Sequence, residues 1–212
     1  HKTADLALRE RIAVSAAEMG TVLAGFLQGS SIRELALLST CNRTEFLVSA
    51  SNHALALGEI RQWLESRFPS GTLADEVCYC HRDQDAVRHM IRVSAGLDSM
   101  VLGEPQIFGQ MKTAYAQAVE HKTVQQELHR VFSHVFSVSK KVRSDTGIGA
   151  NPVSVASAAV RLSKRVFSSL EDCNALMIGA GETIALAAKH LQGESIGSLV
   201  IANRTLDNAL QV

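Results

Sequence analysis

The stretch ALMIGAGETIALAAKHL, residues 175–191, followed by LVIANRT, residues 199–205, decides the fold of the C-terminal part of the chain. Ala175–Ile178 is a short apolar run and is predicted to be a buried strand. Gly179-Ala180-Gly181 makes a turn, Ile184–Leu191 reads as a helix, and Leu199–Ala202 as a second buried strand. Strand, glycine turn, helix, strand opens a nucleotide-binding βαβ unit of Rossmann type. The first two glycines let the backbone N–H groups approach a pyrophosphate, and the helix dipole attracts the anion. Ile184 stands where a third glycine is usual, and a GxG alone also fits an ordinary strand-to-helix turn. The end of the second strand adds information. Asn203-Arg204-Thr205 lies where an NAD binder places an acid for the ribose, and an Arg there suits a 2′-phosphate, so NADPH is expected over NADH.

Upstream the pattern is different. Ser15-Ala16-Ala17-Glu18 is a capping box that opens a helix running through Leu27. Ile32–Leu38 and Glu45–Ser49 read as strands joined by the polar turn Ser39-Thr40-Cys41-Asn42-Arg43. His53–Phe68 is a helix ended by Pro69 and Gly71. Val77–His81 is read as a short strand, with Asp83 capping a helix over Gln84–Ala95. SAGLDSMVLGEPQIFGQ, residues 94–110, is rich in glycine and polar groups. It can present backbone and amide groups to a polar ligand, or simply connect two helices. Helices are predicted from Met111 onward, over Val124–Asp145, and over Val153–Leu170 with Pro152 in its first turn. These elements divide the chain into residues 1–146, an α+β front domain, and residues 147–212, a linker helix followed by the start of the nucleotide-binding domain.

Composition narrows the function classes. The 212 residues carry 21 basic and 21 acidic side chains and are 46% hydrophobic, enough for a real core and too evenly charged for a generic nucleic-acid binder. No run of 18 apolar residues predicts a membrane span, and no secretory signal is visible. The four cysteines, Cys41, Cys78, Cys80 and Cys173, are scattered and are expected to be reduced thiols of a cytoplasmic protein. His1 is not an initiator, and TLDNALQV, residues 205–212, stops inside a helix, so the chain reads as a piece of a longer one.

Several residues could carry chemistry. Cys41 sits in a turn with Asn42 and Arg43, where positive charge can activate a thiol. Arg43 can alternatively clamp a carboxylate in bidentate fashion, and a small buried cysteine beside a surface arginine would give the same letters. Cys78-Tyr79-Cys80-His81 resembles half of a metal site, but its spacing is wrong for the common zinc pairs, so no metal is expected. His89, mid-helix, can orient or protonate a reacting group if it faces the Cys41 turn, with His81 as the competing candidate. A structural histidine is the alternative.

Taken together, HKT (1–3), LRER (8–11), LSTCNRTE (38–45), SAGLDSMVLGEPQIFGQ (94–110), IGAGET (178–183) and IANRT (201–205) resemble the glutamyl-tRNA reductase family, in the family's order along the whole chain. The family usually has proline where this chain has Asp5, a departure placed in a loop. The resemblance implies an α/β protein: a βαββαβ catalytic subdomain with a helical bundle, a long linker helix, then the start of a Rossmann-like NADPH domain. It implies that Cys41 attacks the ester of glutamyl-tRNA to give a thioester, reduced with NADPH to glutamate-1-semialdehyde, a tetrapyrrole (porphyrin) precursor. His89 matches the family's active-site histidine. Thr40, Asn42, Arg43, Ser99, Glu104, Pro105, Gln106 and Gln110 would bind the glutamyl group. Gly179, Ala180, Gly181, Glu182, Thr183 and Ile184 would hold the cofactor phosphates, with Asn203, Arg204 and Thr205 beside them. A homodimer through segments absent here and docking of glutamate-1-semialdehyde aminomutase are further implications. Two other classes compete: a non-catalytic tRNA- or nucleotide-binding module, and an NAD-dependent dehydrogenase without covalent chemistry. The first would be favoured by loss of Cys41 or Arg43. The second would lack the STCNR turn.

Overall fold

The structure, a computed structural model, describes residues 3–28, 30–68, 75–148 and 154–212. It divides into two compact units, His1–Asn151 and Pro152–Val212. The whole is α/β, with helices set around small sheets.

The first unit is built on a β-hairpin. β1 (Ile32–Ser39) pairs antiparallel with β2 (Thr44–Ala50), closing on the pair Ser39 and Thr44. From Leu35 to Leu38 β1 is apolar and buried on both faces, which is why that part reads as a continuous run and not as an alternation. On one face Leu35, Leu37, Phe46 and Val48 pack on α2 (Ala16–Leu27) and α3 (His53–Ser66). There Phe26, Phe46 and Trp63 form an aromatic trio with centroids 5.3–5.9 Å apart. On the other face Ala36, Leu38 and Leu47 meet α4 (Asp83–Ser94), α5 (Gln106–Glu120) and α6 (Gln126–Asp145). A bulge between Ile32 and Glu34 shifts the register. It puts Ile32 on the face of Leu35 and Leu37, and it turns Glu34 toward α6.

Glu34 is buried, and its carboxylate accepts from the backbone N–H groups of Gln125, Glu127 and Leu128 at 2.8–2.9 Å. A strand side chain thus satisfies donors at the start of α6, where the cap residue supplies none. Thr123 locks the same corner, donating to Leu35 O and accepting from Leu35 N at 2.8 Å through its own carbonyl.

Several boundaries differ from the sequence reading. The Ser15 capping box forms as expected. Asp5 lies in the connecting segment, as expected, and does more there: its side chain accepts from Leu8 N and caps α1 (Leu6–Ile12), a helix absent from the sequence reading. No strand forms over Val77–His81. Asp75–Val77 is a 3₁₀ turn, and Cys78, Tyr79, Cys80 and His81 are all exposed, so no buried face holds an extended segment against a sheet. The first unit's sheet therefore has two strands among the described residues, without the further strand read at Val77–His81. Asp83 is the first residue of α4, not its cap; the cap is Arg82, without a side-chain bond. α5 begins at Gln106, directly after Pro105, and not at Met111. α3 ends at Ser66; Pro69 and Gly71, expected to stop it, lie outside the described residues, as does Pro152.

The second unit runs α7 (Val155–Val166), β3 (Asn174–Ile178), α8 (Glu182–Gly193), β4 (Ser198–Ala202) and α9 (Leu206–Leu210). β3 and β4 are parallel, joined through α8. α7 is capped by Ser154 with Ser157 in a reciprocal box, and it ends earlier than the predicted Leu170 because Phe167 is extended. The two strands alternate, contrary to the expectation of fully buried runs. Ala175, Met177 and Leu199 pack with Val160 and Leu191, while Leu176, Ile178 and Val200 are more than half exposed. α7 and α8 contact each other, and one face of the sheet carries the core.

Candidate active site

Cys41 is exposed at the apex of the hairpin turn. Thr40 shapes that turn: its N–H donates to Arg43 O at 2.8 Å, and its Oγ1 accepts from Asn42 N and Arg43 N at 3.2 and 3.1 Å. Arg9 of α1 fixes it from outside, donating to Cys41 O at 2.7 Å and to Asn42 Oδ1 at 2.9 Å. The sulfur therefore projects from a turn whose neighbouring polar groups are already engaged. Next to it opens a cavity of about 670 Å³ whose lining includes Asn42, Arg43, Arg9, His89, Tyr79 and His81.

Arg43 points inward. It is 8% exposed and donates to Glu45 Oε1 at 2.8 Å, to Asp98 Oδ2 at 3.4 Å, and to the Asp98 carbonyl. Burial works against its charge, yet Glu45, Tyr79 and Asp98 together outweigh that and hold its pKa above the ordinary arginine value. Glu45, 6% exposed, collects three donors on the same Oε1: Arg43, the Tyr79 hydroxyl, and His89 Nε2 at 3.0 Å. Burial opposes its ionisation, but the bonds and charges of His89 and Arg43 win, so its pKa lies below the usual 4.5. Burial, reinforced by the Glu45 carboxylate, pushes the Tyr79 hydroxyl far above the ordinary tyrosine range, so it remains a donor.

The loop after α4 is built for compactness. Gly96 and Gly103 have φ of +82° and +80°, and Gly103 N donates to Gly96 O at 2.9 Å. A Cβ at Gly103 would lie 2.7 Å from Ile148 O, so only glycine fits. Arg143 of α6 braces the loop through the carbonyls of Ala95, Gly103 and Glu104 at 3.1–3.5 Å. Ser99, Glu104, Gln106 and Gln110 are half-buried on this loop and the start of α5, and Pro105 is exposed. Burial raises the Glu104 carboxyl above the ordinary glutamate value. None of these five residues, nor Cys41 and Thr40, is among the described lining of the cavity. The structure thus brings Asn42, Arg43 and His89 to one cavity and leaves the 99–110 set on the adjoining loop.

In the second unit Gly179 has φ of +111°, a conformation that favours glycine, and its N–H bonds Ala202 O at 2.8 Å. The glycine turn and the end of β4 are therefore neighbours. Gly181 is the N-cap of α8, with open space where a Cβ would stand. Ile184 closes the turn from below, 3.7 Å from the Cβ position of Gly179. α8 starts at Glu182, two residues ahead of the predicted Ile184. Ala180 is half-buried, whereas Glu182, Thr183, Arg204 and Thr205 are exposed; Asn203 Nδ2 donates to Thr205 O at 2.8 Å. Open backbone donors at a helix start, beside the end of a parallel strand, fit the phosphates of a nucleotide.

Residues 1–146 match the family model described as glutamyl-tRNAGlu reductase, N-terminal domain. The chain belongs to the glutamyl-tRNA reductase family. Residues 161–212 match the model described as shikimate/quinate 5-dehydrogenase. The glutamyl-tRNA reductase of Pseudomonas aeruginosa is 51% identical over 212 residues, covering 99% of this chain and 49% of that protein. That of Nitrosococcus oceani is 46% identical, covering 100% and 50%. The solved glutamyl-tRNA reductase from Methanopyrus kandleri superposes with a TM-score of 0.64 at 30% identity, over 100% of this chain and 49% of that one. The chain spans about half the length of the curated relatives it matches.

Reading the sequence for function passed over Arg9, Glu45, Tyr79, Asp98 and Arg143. Glu45 and Arg9 each stand inside a quoted family motif, LSTCNRTE and LRER, which was the available signal. Tyr79 lies between Cys78 and Cys80 and carries no spacing signal of its own. Among the described residues no group of three or more His, Cys, Asp or Glu is placed to hold a metal ion, and no helix is long and apolar enough to cross a membrane.

Proposed function

We propose that this chain carries the acyl-transfer centre and the first part of the cofactor site of an NADPH-dependent glutamyl-tRNA reductase. The supporting observation is the exposed Cys41 held at the apex of a turn that Thr40 and Arg9 make rigid. The Cys41 thiolate attacks the carbonyl of the ester joining glutamate to the tRNA 3′ end. The carbon–sulfur bond forms, the carbon–oxygen bond breaks, and the ribose oxygen leaves and takes a proton. When bound, NADPH supplies the hydride that takes the thioester to glutamate-1-semialdehyde, the first step of tetrapyrrole synthesis.

The chain's own groups divide the remaining work. His89, lining the cavity and bonded to Glu45, is placed to move a proton at the ribose oxygen. Thr40 and Asn42 orient the nucleophile's turn. Arg43, fixed by Glu45 and Asp98, presents positive charge at the cavity wall toward the glutamyl group. Ser99, Glu104, Pro105, Gln106 and Gln110 form the glutamate-binding loop, with Glu104 suited to the substrate ammonium. Gly179–Ile184 would hold the dinucleotide phosphates and Asn203, Arg204 and Thr205 the 2′-phosphate. Residues 1–146 are then the catalytic domain and 147–212 the linker and nucleotide-binding part. A cytoplasmic location, homodimerisation through segments of the longer relatives and hand-over of the aldehyde to an aminomutase belong to the same proposal.

Mass spectrometry of the chain after mixing with glutamyl-tRNA tests it. A glutamyl adduct on Cys41, absent in Cys41→Ser, is expected. No adduct, or an adduct on another cysteine, overturns the reading.

A further inference from the structure

The acylation chemistry leaves the segment Cys78–Arg82 without a role, although Tyr79 and His81 both line the cavity. Side chains on an exposed, irregular segment are ordinarily loose. Tyr79 is anchored instead: its hydroxyl donates to the buried Glu45 Oε1, the oxygen that also takes Arg43 and His89. Its ring stands edge-on to His89 at 5.2 Å and lies 5.4 Å from His81. His81 in turn lies 4.6 Å from His89 at an interplanar angle of 30°. Yet Tyr79 is 57% exposed and His81 is exposed. An aromatic group pinned at its polar end and uncovered along its body is a preformed contact surface.

The charges beside it point the same way. Arg88 and Arg92 of α4, four residues apart and so on one face of the helix, are exposed and line the cavity. Arg88 pairs with Asp85 at 3.3 Å, but both side chains are largely solvent-exposed, so that pair is weak and can be exchanged. Aromatic faces flanked by guanidinium groups are how proteins hold single-stranded nucleic acid. Glu76 and Asp85 also line the cavity and temper its charge. Stacking, more than counter-ion release, should therefore carry the affinity.

Acylation fixes where such a strand must lie. The ester attacked by Cys41 is attached to the ribose of the last nucleotide, and Asn42, the next residue, already forms the cavity wall. We propose that Tyr79 and His81 are the stacking platform for the terminal nucleoside of the tRNA acceptor end, and that Arg88 and Arg92 hold the phosphates behind it. This rests on Cys41 being the nucleophile. Glu45 then acts as a positioning residue, holding the platform and His89 through one oxygen.

The test is fluorescence anisotropy of the chain with two single-stranded oligoribonucleotides. They differ only in the last position, adenosine in one and an abasic ribose in the other. The wild-type chain is expected to prefer the adenosine end by about 5- to 150-fold, the range for one stacked base. Tyr79→Leu and His81→Ala should each remove most of that preference and leave the abasic probe bound as before. His81 is exposed, so its variant keeps the test valid if Tyr79→Leu misfolds. Arg88→Ala should weaken both probes alike. Equal binding of the two probes by the wild-type chain, or a preference that survives both ring substitutions, overturns the platform. The nucleophile is read separately, by mass spectrometry with a small activated glutamyl ester and no nucleic acid. A Cys41 adduct without adenosine preference overturns the platform alone. Adenosine preference without a Cys41 adduct supports the platform and overturns the acylation reading.

Discussion

His89 Nε2 lies 3.0 Å from Glu45 Oε1, and the same oxygen takes the Arg43 guanidinium and the Tyr79 hydroxyl, while Glu45 Oε2 is buried without a hydrogen-bond partner among the described residues. One atom thus ties helix α4, the Cys41 hairpin and the Cys78–Arg82 segment together. That arrangement depends on Glu45 being ionised, because a protonated carboxyl is a poorer acceptor for three donors. Its folded pKa lies below the usual 4.5. A depressed carboxyl stabilises the fold fully above its unfolded pKa and loses that contribution as pH falls through the lower, folded value. Thermal melting of the wild-type chain should therefore drop as pH is lowered below about 4.3. Glu45→Gln should melt lower at pH 7 and show a shallower acid limb. Parallel acid limbs for the two proteins would show that another group governs the acid transition.

Arg43 is predicted to be as much a structural residue as a substrate-facing one. Removing one partner of a buried ion pair leaves uncompensated charge, at a cost of about 3–5 kcal/mol. Arg43→Ala should therefore shift the urea midpoint by an amount of that size. Arg43→Lys should cost less but still measurably, because an ammonium cannot reproduce the fork that spans Glu45 and Asp98. If both variants unfold like the wild type yet fail to acylate, the guanidinium serves the substrate and not the fold. Cys41→Ser, by contrast, changes an exposed side chain and should move stability by no more than about 0.5 kcal/mol.

Glu34 gives a prediction away from the site. Its carboxylate serves three backbone N–H groups at the start of α6, so it acts as a cap delivered from a strand. Glu34→Ala should cost about 2 kcal/mol or more, at the upper end for a lost cap, since the donors are left in a partly buried corner. Hydrogen exchange should localise the effect to the amides of Gln125, Glu127 and Leu128. Uniform acceleration across the unit, with no excess at those amides, would argue against the cap.

What could be read from the letters follows from how far each interaction reaches. The hairpin, the Ser15 capping box and the β3–α8–β4 unit are encoded by neighbours, and their residues were assignable from spacing alone. The Cys41 turn was legible because Thr40, Asn42 and Arg43 bond within it. The pairs that organise the site are distant in sequence: Arg43 with Asp98, Tyr79 with Glu45, Arg9 with Cys41, Glu34 with α6. No local pattern marks them. Glu34 and Glu45 even look misplaced, as acids in apolar strands, until the helix N-terminus and the three donors that need them are in view. The misread strand at Val77–His81 has the same origin. Val77 and Tyr79 have strand propensity, but strands need a buried face and a partner, and here the Tyr79 hydroxyl anchors an exposed segment to Glu45 instead.

Under the proposed function, cofactor preference should rest on the end of β4. Gly179 N bonds Ala202 O, which brings the glycine turn beside Asn203, and the Asn203 side chain closes on Thr205 O to leave Arg204 exposed at the strand's end. A guanidinium there can take a 2′-phosphate through charge-assisted bonds worth about 1.5–3 kcal/mol, whereas a ribose hydroxyl gains little from it. Calorimetric titration should show the chain binding NADPH at least about tenfold more tightly than NADH, with Arg204→Ala losing that ratio by weakening NADPH alone. Gly179→Ala should weaken both nucleotides together, because a side chain at φ of +111° strains the turn proposed to hold the shared pyrophosphate. Equal affinities in the wild type would remove Arg204 from the specificity argument. A selective loss of NADPH in Gly179→Ala would mean that the turn, and not the end of β4, reads the 2′-phosphate.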